Sequence, residues 1–263
     1  MRIFDLHSDI LTAINNPYDV LKSFNNNVKV CTAIYKGWVK NNGLFSVINE
    51  FKCNNLPNAL LCFEDVGYAN VSIEDIILTN PFYVQLTYND ENKYGFGCNF
   101  NNKLKPLGVD AVKKLKNYNI YVDVSHLSNS GALQVCELTD RVICSHTLFY
   151  NVYNHKRNIS NDLIKLIIER NGVIGACLVG YFVGYDNSFE NFFKHIDYFL
   201  QNFGDDNLAL GSDFYGSDAP VFADGDYAFA EILYSKLSKL GIKSDGVERV
   251  LCKNAGLFFN ISI

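Results

Sequence analysis

The sequence predicts a single (β/α)8 barrel, the TIM-barrel architecture, spanning residues 1–263. Three observations carry that expectation. Eight short apolar, β-branched runs alternate with stretches of helical period, the pattern of βα units around a parallel sheet. Five of the eight runs end in a metal-capable or acidic residue, reading DLHSD, LLCFED, VDVSH, VICSH and ALGSD. A barrel gathers its C-terminal strand ends at one mouth, so groups remote in sequence share a site there. The length of 263 residues is one that such a barrel fills as one unit.

The strand-like runs fall at residues 3–6, 28–34, 59–63, 82–87, 120–124, 142–145, 173–179 and 208–211. Helices are expected between them at 109–116, 131–138, 161–169, 189–203 and 229–240, with a last one over 245–258. Several open on a capping residue or an acidic first turn, as in SNDLIKLIIER and SFENFFKHI, where a side-chain oxygen satisfies a free N–H of the first turn. No repeat, low-complexity tract or Pro/Gly/Ser linker divides the chain. Residues 25–27 read as a polar turn, and 215–226 as a loop long enough to form part of a substrate lid.

Composition narrows the function classes. With 48% apolar and 19% charged residues, the chain can bury a large core and reads as a soluble globular protein. The net charge of −5 comes without any cluster of Lys and Arg interleaved with aromatics, so nucleic acid is not an expected partner. The opening MRIFDLHSDIL meets Asp5 and His7 before an apolar signal region forms. No later stretch reaches the ~18 apolar residues of a membrane span, and a cytoplasmic location is expected. Eight widely spaced cysteines, none in a CxxC pair, sit mostly in apolar runs and read as buried, reduced thiols.

The strand ends carry the candidate chemistry. His7 and Asp9 flank one residue, so period-two alternation points both the same way and lets them grip one ion. His126 and His146 each close a run after Ser, and imidazole is a common zinc ligand; a hydrogen-bonded core histidine is the alternative. Glu64 has two oxygens with which to bridge two ions, or else starts a helix, and Asp213 is a ligand and proton carrier or a turn former.

In this order, His7-Ser-Asp9, Glu64, VDVSH, ICSH, His155-Lys-Arg157-Asn158 with Asp162, HIDYF around His195, and LGSDFYG resemble the renal or membrane dipeptidases. These are zinc peptidases of the amidohydrolase superfamily, peptidase family M19. The resemblance extends to Lys253-Asn254-Ala-Gly, near the end of the sequence. It implies two divalent ions, zinc first among candidates: His7 and Asp9 hold one with help from Asp213, His126 and His146 hold the other, and Glu64 bridges them. A hydroxide between the ions is the implied nucleophile, because two cations bring the pKa of water toward ~7. Asp213 is then the group that takes the water's proton and passes it to the leaving amine. Arg157 matches the arginine that holds the substrate's terminal carboxylate through paired hydrogen bonds. His155 and His195 read as structural.

The implied reaction is hydrolysis of the amide bond of a small dipeptide. Alternatives are the same chemistry on an acyl amino acid, a lactone or a β-lactam, or a metal-loaded binding protein without turnover. A homodimer is also implied, since relatives commonly form one. Two departures stand out besides a shorter chain. The family's Leu-Thr-His reads Leu86-Thr87-Tyr88 here, and a phenol can donate to an oxyanion but carries no positive charge near neutral pH. Asp65-Val66 follows Glu64 where relatives have a glycine-rich turn.

Overall fold

Eight parallel strands hydrogen-bond in chain order and close, β8 onto β1, into the expected barrel. They are β1 (Ile3–Ser8), β2 (Val28–Tyr35), β3 (Ala59–Glu64), β4 (Tyr83–Gln85), β5 (Tyr121–Asp123), β6 (Val142–Thr147), β7 (Ile174–Ala176) and β8 (Leu208–Leu210). The structure is a computed structural model that describes residues 1–24, 27–35, 37, 43–67 and 71–261; residues 25 and 26 of the expected polar turn lie outside these.

Side chains alternate across the barrel wall. On β2, Val30 and Ile34 pack outward with the helices while Cys31 and Ala33 face inward. The interior cluster joins Phe4, Leu6, Cys62, Tyr83 and Ala209 to Ala255 and Phe259. Those last two belong to the C-terminal helix Asn254–Phe259, which seats Phe259 5.7 Å from the Phe4 ring. The lower end of the barrel is thereby filled, and the functional groups are left to the opposite mouth.

Helices Asn161–Glu169 and Phe189–Phe203 have the expected bounds, each capped by a serine hydroxyl, Ser160 and Ser188, accepting an N–H of the first turn. The expected final helix instead comprises Ser244–Glu248, a π turn over Arg249–Lys253, and Asn254–Phe259. Beyond that turn Asn254 Nδ2 donates to Leu208 O at 2.7 Å and Asp205 O at 2.5 Å, which ties the helix to the start of β8. Pro17–Ser23, Leu44–Asn54 and Ile73–Leu78 are helices the periodicity did not single out. All eight cysteines are free and six are buried. Cys53 departs from expectation, lying exposed in Leu44–Asn54. No helix among the described residues is long and apolar enough to cross a membrane.

One crowded contact sets the shape of the mouth. The β6–β7 register shifts between Cys144 and Thr147, and the Ser145 carbonyl oxygen comes to lie between Gly175 and Gly211, where a Cβ on either glycine would overlap it. The obstacle is backbone, which a side-chain rotation cannot relieve. Gly211→Ala is expected to lower stability by about 1–3 kcal/mol through overpacking, measured by urea unfolding; a wild-type midpoint would show that the strands separate freely.

Candidate metal centre

The strand ends that carry chemistry in the sequence meet at the mouth. His7 closes β1 with Asp9 just beyond it, Glu64 ends β3, His126 follows β5, His146 lies in β6, and Asp213 follows β8. Glu64 stands between the two histidine sets. Its Oε1 is 2.9 Å from His126 Nε2 and 3.8 Å from His146 Nε2, and its Oε2 is 4.0 Å from His7 Nε2. His7 Nε2 also lies 3.5 Å from Asp9 Oδ2 and 3.6 Å from Asp213 Oδ1. These residues make three overlapping groups able to hold a cation: His7, Asp9 and Glu64; His7, His146 and Asp213; and Glu64, His126 and His146.

The chemistry of the donor set fits metal. His126 Nδ1 faces the acceptor Asn89 Oδ1 at 2.9 Å, so it carries the ring proton and leaves Nε2 bare. His146 Nδ1 faces Ser145 Oγ at 2.9 Å, and that hydroxyl gives its own proton to Asp123. His7 Nδ1 faces the Tyr83 hydroxyl at 2.8 Å, which donates to Leu6 O at 3.1 Å. The Nε2 lone pairs therefore all turn inward. Those of His126 and His146 stand 2.8 Å apart, where two lone pairs repel unless a positive centre lies between or beside them. His7 Nε2 and Asp9 Oδ1 are buried without a hydrogen-bond partner.

Charge gives the same answer. Burial, with the Asp9 and Asp213 carboxylates beside it, pushes Glu64 well above the ordinary carboxyl range. Burial likewise pushes Asp213 up to about 7, His7 pulling it down and Asp9 raising it. Burial drives His126 and His146 well below the usual imidazole value. On His7 burial acts downward too, but Asp9 and Asp213 outweigh it and raise the ring. Two buried carboxyl groups, Glu64 and Asp9, and the nearly buried Asp213 thus lack positive charge at the point where the nitrogen lone pairs converge, and divalent cations would supply it.

The remaining expected residues divide. Tyr88 lies at the mouth, its ring 4.4 Å from that of His126 and stacked, with Tyr35 5.0 Å away on Tyr88. Burial and the Glu64 carboxylate push its phenol up, so the hydroxyl stays a donor. Arg157 is buried, with Nη1 donating to Ser125 O and Nη2 to His146 O at 3.4 Å, while its Nε has no partner. It therefore braces the segments that carry His126 and His146. His195 lies in the core, Nδ1 accepting from Phe149 N at 3.1 Å and Nε2 donating to Val183 O at 3.2 Å, and His155 stacks on Phe182 at 4.9 Å; neither is in the centre. Asp65 takes φ +54° and accepts from Asn92 Nδ2 at 2.9 Å, so it supplies the left-handed turn otherwise suited to glycine. The loop after β8 is tied down by Gly180 N to Ala219 O and Val221 N to Leu178 O, both 2.7 Å.

Residues not singled out from the sequence hold the candidate ligands in place. Asp5 accepts from His7 N at 3.2 Å, Ser212 N at 2.8 Å, Ser212 Oγ at 2.5 Å and Tyr227 Oη at 2.8 Å. Asp123 plays a comparable part for Ser145, and Tyr83 and Asn89 orient rings. The signal available was an acidic residue inside an apolar strand, which must find donors once buried.

The description of the membrane dipeptidase family, peptidase family M19, matches this chain over residues 80–257. Dipeptidase tcpJ of Claviceps purpurea (strain 20.1) is 23% identical over 257 residues, which cover 96% of this chain and 56% of that protein. Dipeptidase verJ of Clonostachys rogersoniana is 24% identical over 178 residues, covering 65% of this chain and 46% of that one. The chain thus matches about half the length of each. Among solved structures, dipeptidase AC, a metallopeptidase of family M19, superposes with a TM-score of 0.82 at 16% identity, covering 100% of this chain and 98% of that one. A metallopeptidase from Rhodobacter sphaeroides, liganded with a phosphinate mimic of the dipeptide L-Ala-D-Ala, gives 0.79 at 15% identity, with 100% and 99% covered. At these identities the structural likeness concerns the fold.

Gly216 closes the acidic side of the centre. A Cβ there would overlap Asp213 Oδ1 and Asp9 Oδ2, and both carboxylates would have to leave their present positions. Gly216→Ala is expected to weaken zinc binding at the His7/Asp9 side by about 10-fold or more, in line with displaced ligand support. Zinc titration of the metal-free protein checks this, and an unaltered binding curve would disprove the convergence of those carboxylates on an ion.

Proposed function

The chain belongs to the membrane dipeptidase family, peptidase family M19, and we propose that it is a dipeptidase that holds two divalent cations, zinc first among candidates. His7, Asp9 and Asp213 would hold one, His126 and His146 the other, and Glu64 would bridge them. The observation that carries this reading is the placing of the two Glu64 oxygens, one toward His126 and His146 and one toward His7, with inward-facing Nε2 lone pairs on both sides. When bound, the cations supply Lewis acidity and make water ionisable near neutral pH.

The chain's own groups do the rest. Asp213, beside Asp9 and His7 and partly open to the mouth, accepts one proton of the attacking water and returns it to the nitrogen as the C–N bond breaks, while the other proton stays with the attacking oxygen, so one water and one amide become a carboxylic acid and an amine. Tyr88 stands over His126 as a neutral phenol and donates to the carbonyl oxygen as negative charge develops on it. Arg157 keeps its fixed charge behind His126 and His146 and attracts the terminal carboxylate of the substrate. The dipeptide mimic in the Rhodobacter sphaeroides relative supports dipeptides as the first substrate class to test.

Metal content and turnover test the reading together. A zinc-saturated preparation is expected to hold two ions per chain and to hydrolyse members of a panel of L,L and L,D dipeptides. The corresponding dipeptide amides are expected to show higher KM, by a factor matching about 1.5–3 kcal/mol for a lost charge-assisted contact. At most one ion per chain, or a panel left intact, would sink the dipeptidase reading, and equal KM for acids and amides would leave Arg157 as a brace alone. Tyr88→Phe keeps the ring stacked on His126 but removes the donor, and is expected to lower kcat by about 10²–10³ with unchanged zinc content. Wild-type kcat in that variant takes Tyr88 out of the mechanism.

A further inference from the structure

Ser145 is the point where the two halves of the centre touch. Its Oγ lies 2.9 Å from His146 Nδ1 and 3.4 Å from His7 Nδ1, and on the reading above those rings serve different cations. A hydroxyl has one proton to give, and here it goes to Asp123 Oδ2. Every other group at Asp123 is a donor as well: Ser125 N at 3.1 Å, Ser125 Oγ at 2.6 Å, Ser145 N at 2.9 Å and Gln85 Nε2 at 2.6 Å.

We infer that Asp123 is a positioning residue that, through Ser145, decides which ring nitrogen of His146, and in part of His7, carries the proton, and so whether the inward-facing Nε2 is free to hold a cation. Because Asp123 acts only as an acceptor, the Ser145 hydroxyl must point its proton at the carboxylate and present its lone pairs to the rings. A lone pair facing Nδ1 selects the tautomer with its proton on Nδ1, which leaves Nε2 free to bind a cation. His7 has a second guide in Tyr83 Oη at 2.8 Å, whereas among the described residues His146 Nδ1 meets Ser145 Oγ alone. His146 therefore depends on Asp123 more than His7 does. The same carboxylate fixes the strand ends, since Ser125 Oγ also accepts from His146 N at 3.1 Å.

The inference rests on the metal-centre reading, and the test separates the two. In Asp123→Asn the amide oxygen can keep the contacts of Oδ1, while Nδ2 turns a donor toward Ser145 Oγ and Gln85. Gln85 can meet it by rotating its Oε1, which is buried without a partner, so the fold keeps its packing. Ser145 then accepts from the amide and sends its proton to His146 Nδ1, which moves the ring proton to Nε2. In 1H–15N spectra of the metal-free full chain, His146 Nδ1 is expected to change from protonated to unprotonated. Zinc affinity, read by competition with a chromophoric chelator, is expected to fall about 10–100-fold. Ser145→Ala leaves Asp123 its bonds to Ser125 and Gln85 and is expected to weaken zinc binding to a similar degree; it carries the test should Asp123→Asn fail to fold. Zinc binding by the wild-type chain with unaltered affinity and ring-nitrogen state in the folded variants would overturn the inference alone. A wild-type chain that takes up no zinc overturns the metal reading and the inference with it.

Discussion

A buried carboxylate without enough positive charge around it is the constraint on which the mouth of this barrel depends. Glu64 sits at the end of β3 with His126 on one oxygen and His7 toward the other, while Asp9 and Asp213 raise its proton affinity further. Gathering these carboxyl groups away from water is costly while they are ionised, and nearby positive charge offsets that cost. The ring nitrogens answer that demand by turning their lone pairs inward, each backed by an acceptor behind Nδ1. The site is thus a cage whose chemistry is set by its outer hydrogen bonds as much as by the groups that line it.

Two buried aspartates make that cage rigid. Asp5 on β1 holds the N–H and hydroxyl of Ser212, the residue before Asp213, and Asp123 on β5 holds the N–H and hydroxyl of Ser145, the residue before His146. In both cases an acid on one strand grips the serine that precedes a candidate ligand on, or just beyond, its hydrogen-bonded neighbour, β8 for β1 and β6 for β5. Functional groups carried this way inherit the precision of the sheet. Arg157 adds a tie between the same segments through Ser125 O and His146 O.

On the open side of the cage the chain differs from the pattern it resembles. Tyr88 lies flat on His126 with Tyr35 flat on Tyr88, so the wall beside the Glu64 and His126 side is aromatic and its polar tip is a neutral hydroxyl. A phenol supplies hydrogen bonding to a developing oxyanion without the added charge of an imidazolium. The histidines and carboxylates of the mouth thus keep the pattern while Tyr88 departs from it, which a rigid barrel that carries its groups on separate strand ends and loops allows.

The sequence by itself determined the barrel and the positions of the groups at its mouth. Alternating apolar runs and helical periods, such as ALLCFE of β3 and NDLIKLIIE of the helix after β6, are local patterns that survive without knowledge of the fold. So are His7, Glu64, His126 and His146 at strand ends, because parallel closure sends every such end to one face. Only the tertiary structure decided what lies behind them. Asp5, Asp123, Tyr83 and Ser145 read as ordinary members of apolar strands, and their roles come from partners 22 to 222 residues away. Arg157 likewise became a buried brace, and Gly175 and Gly211 became the space for the Ser145 carbonyl. Register between strands and the direction of a shared proton are properties of the closed barrel, and no local pattern carries them.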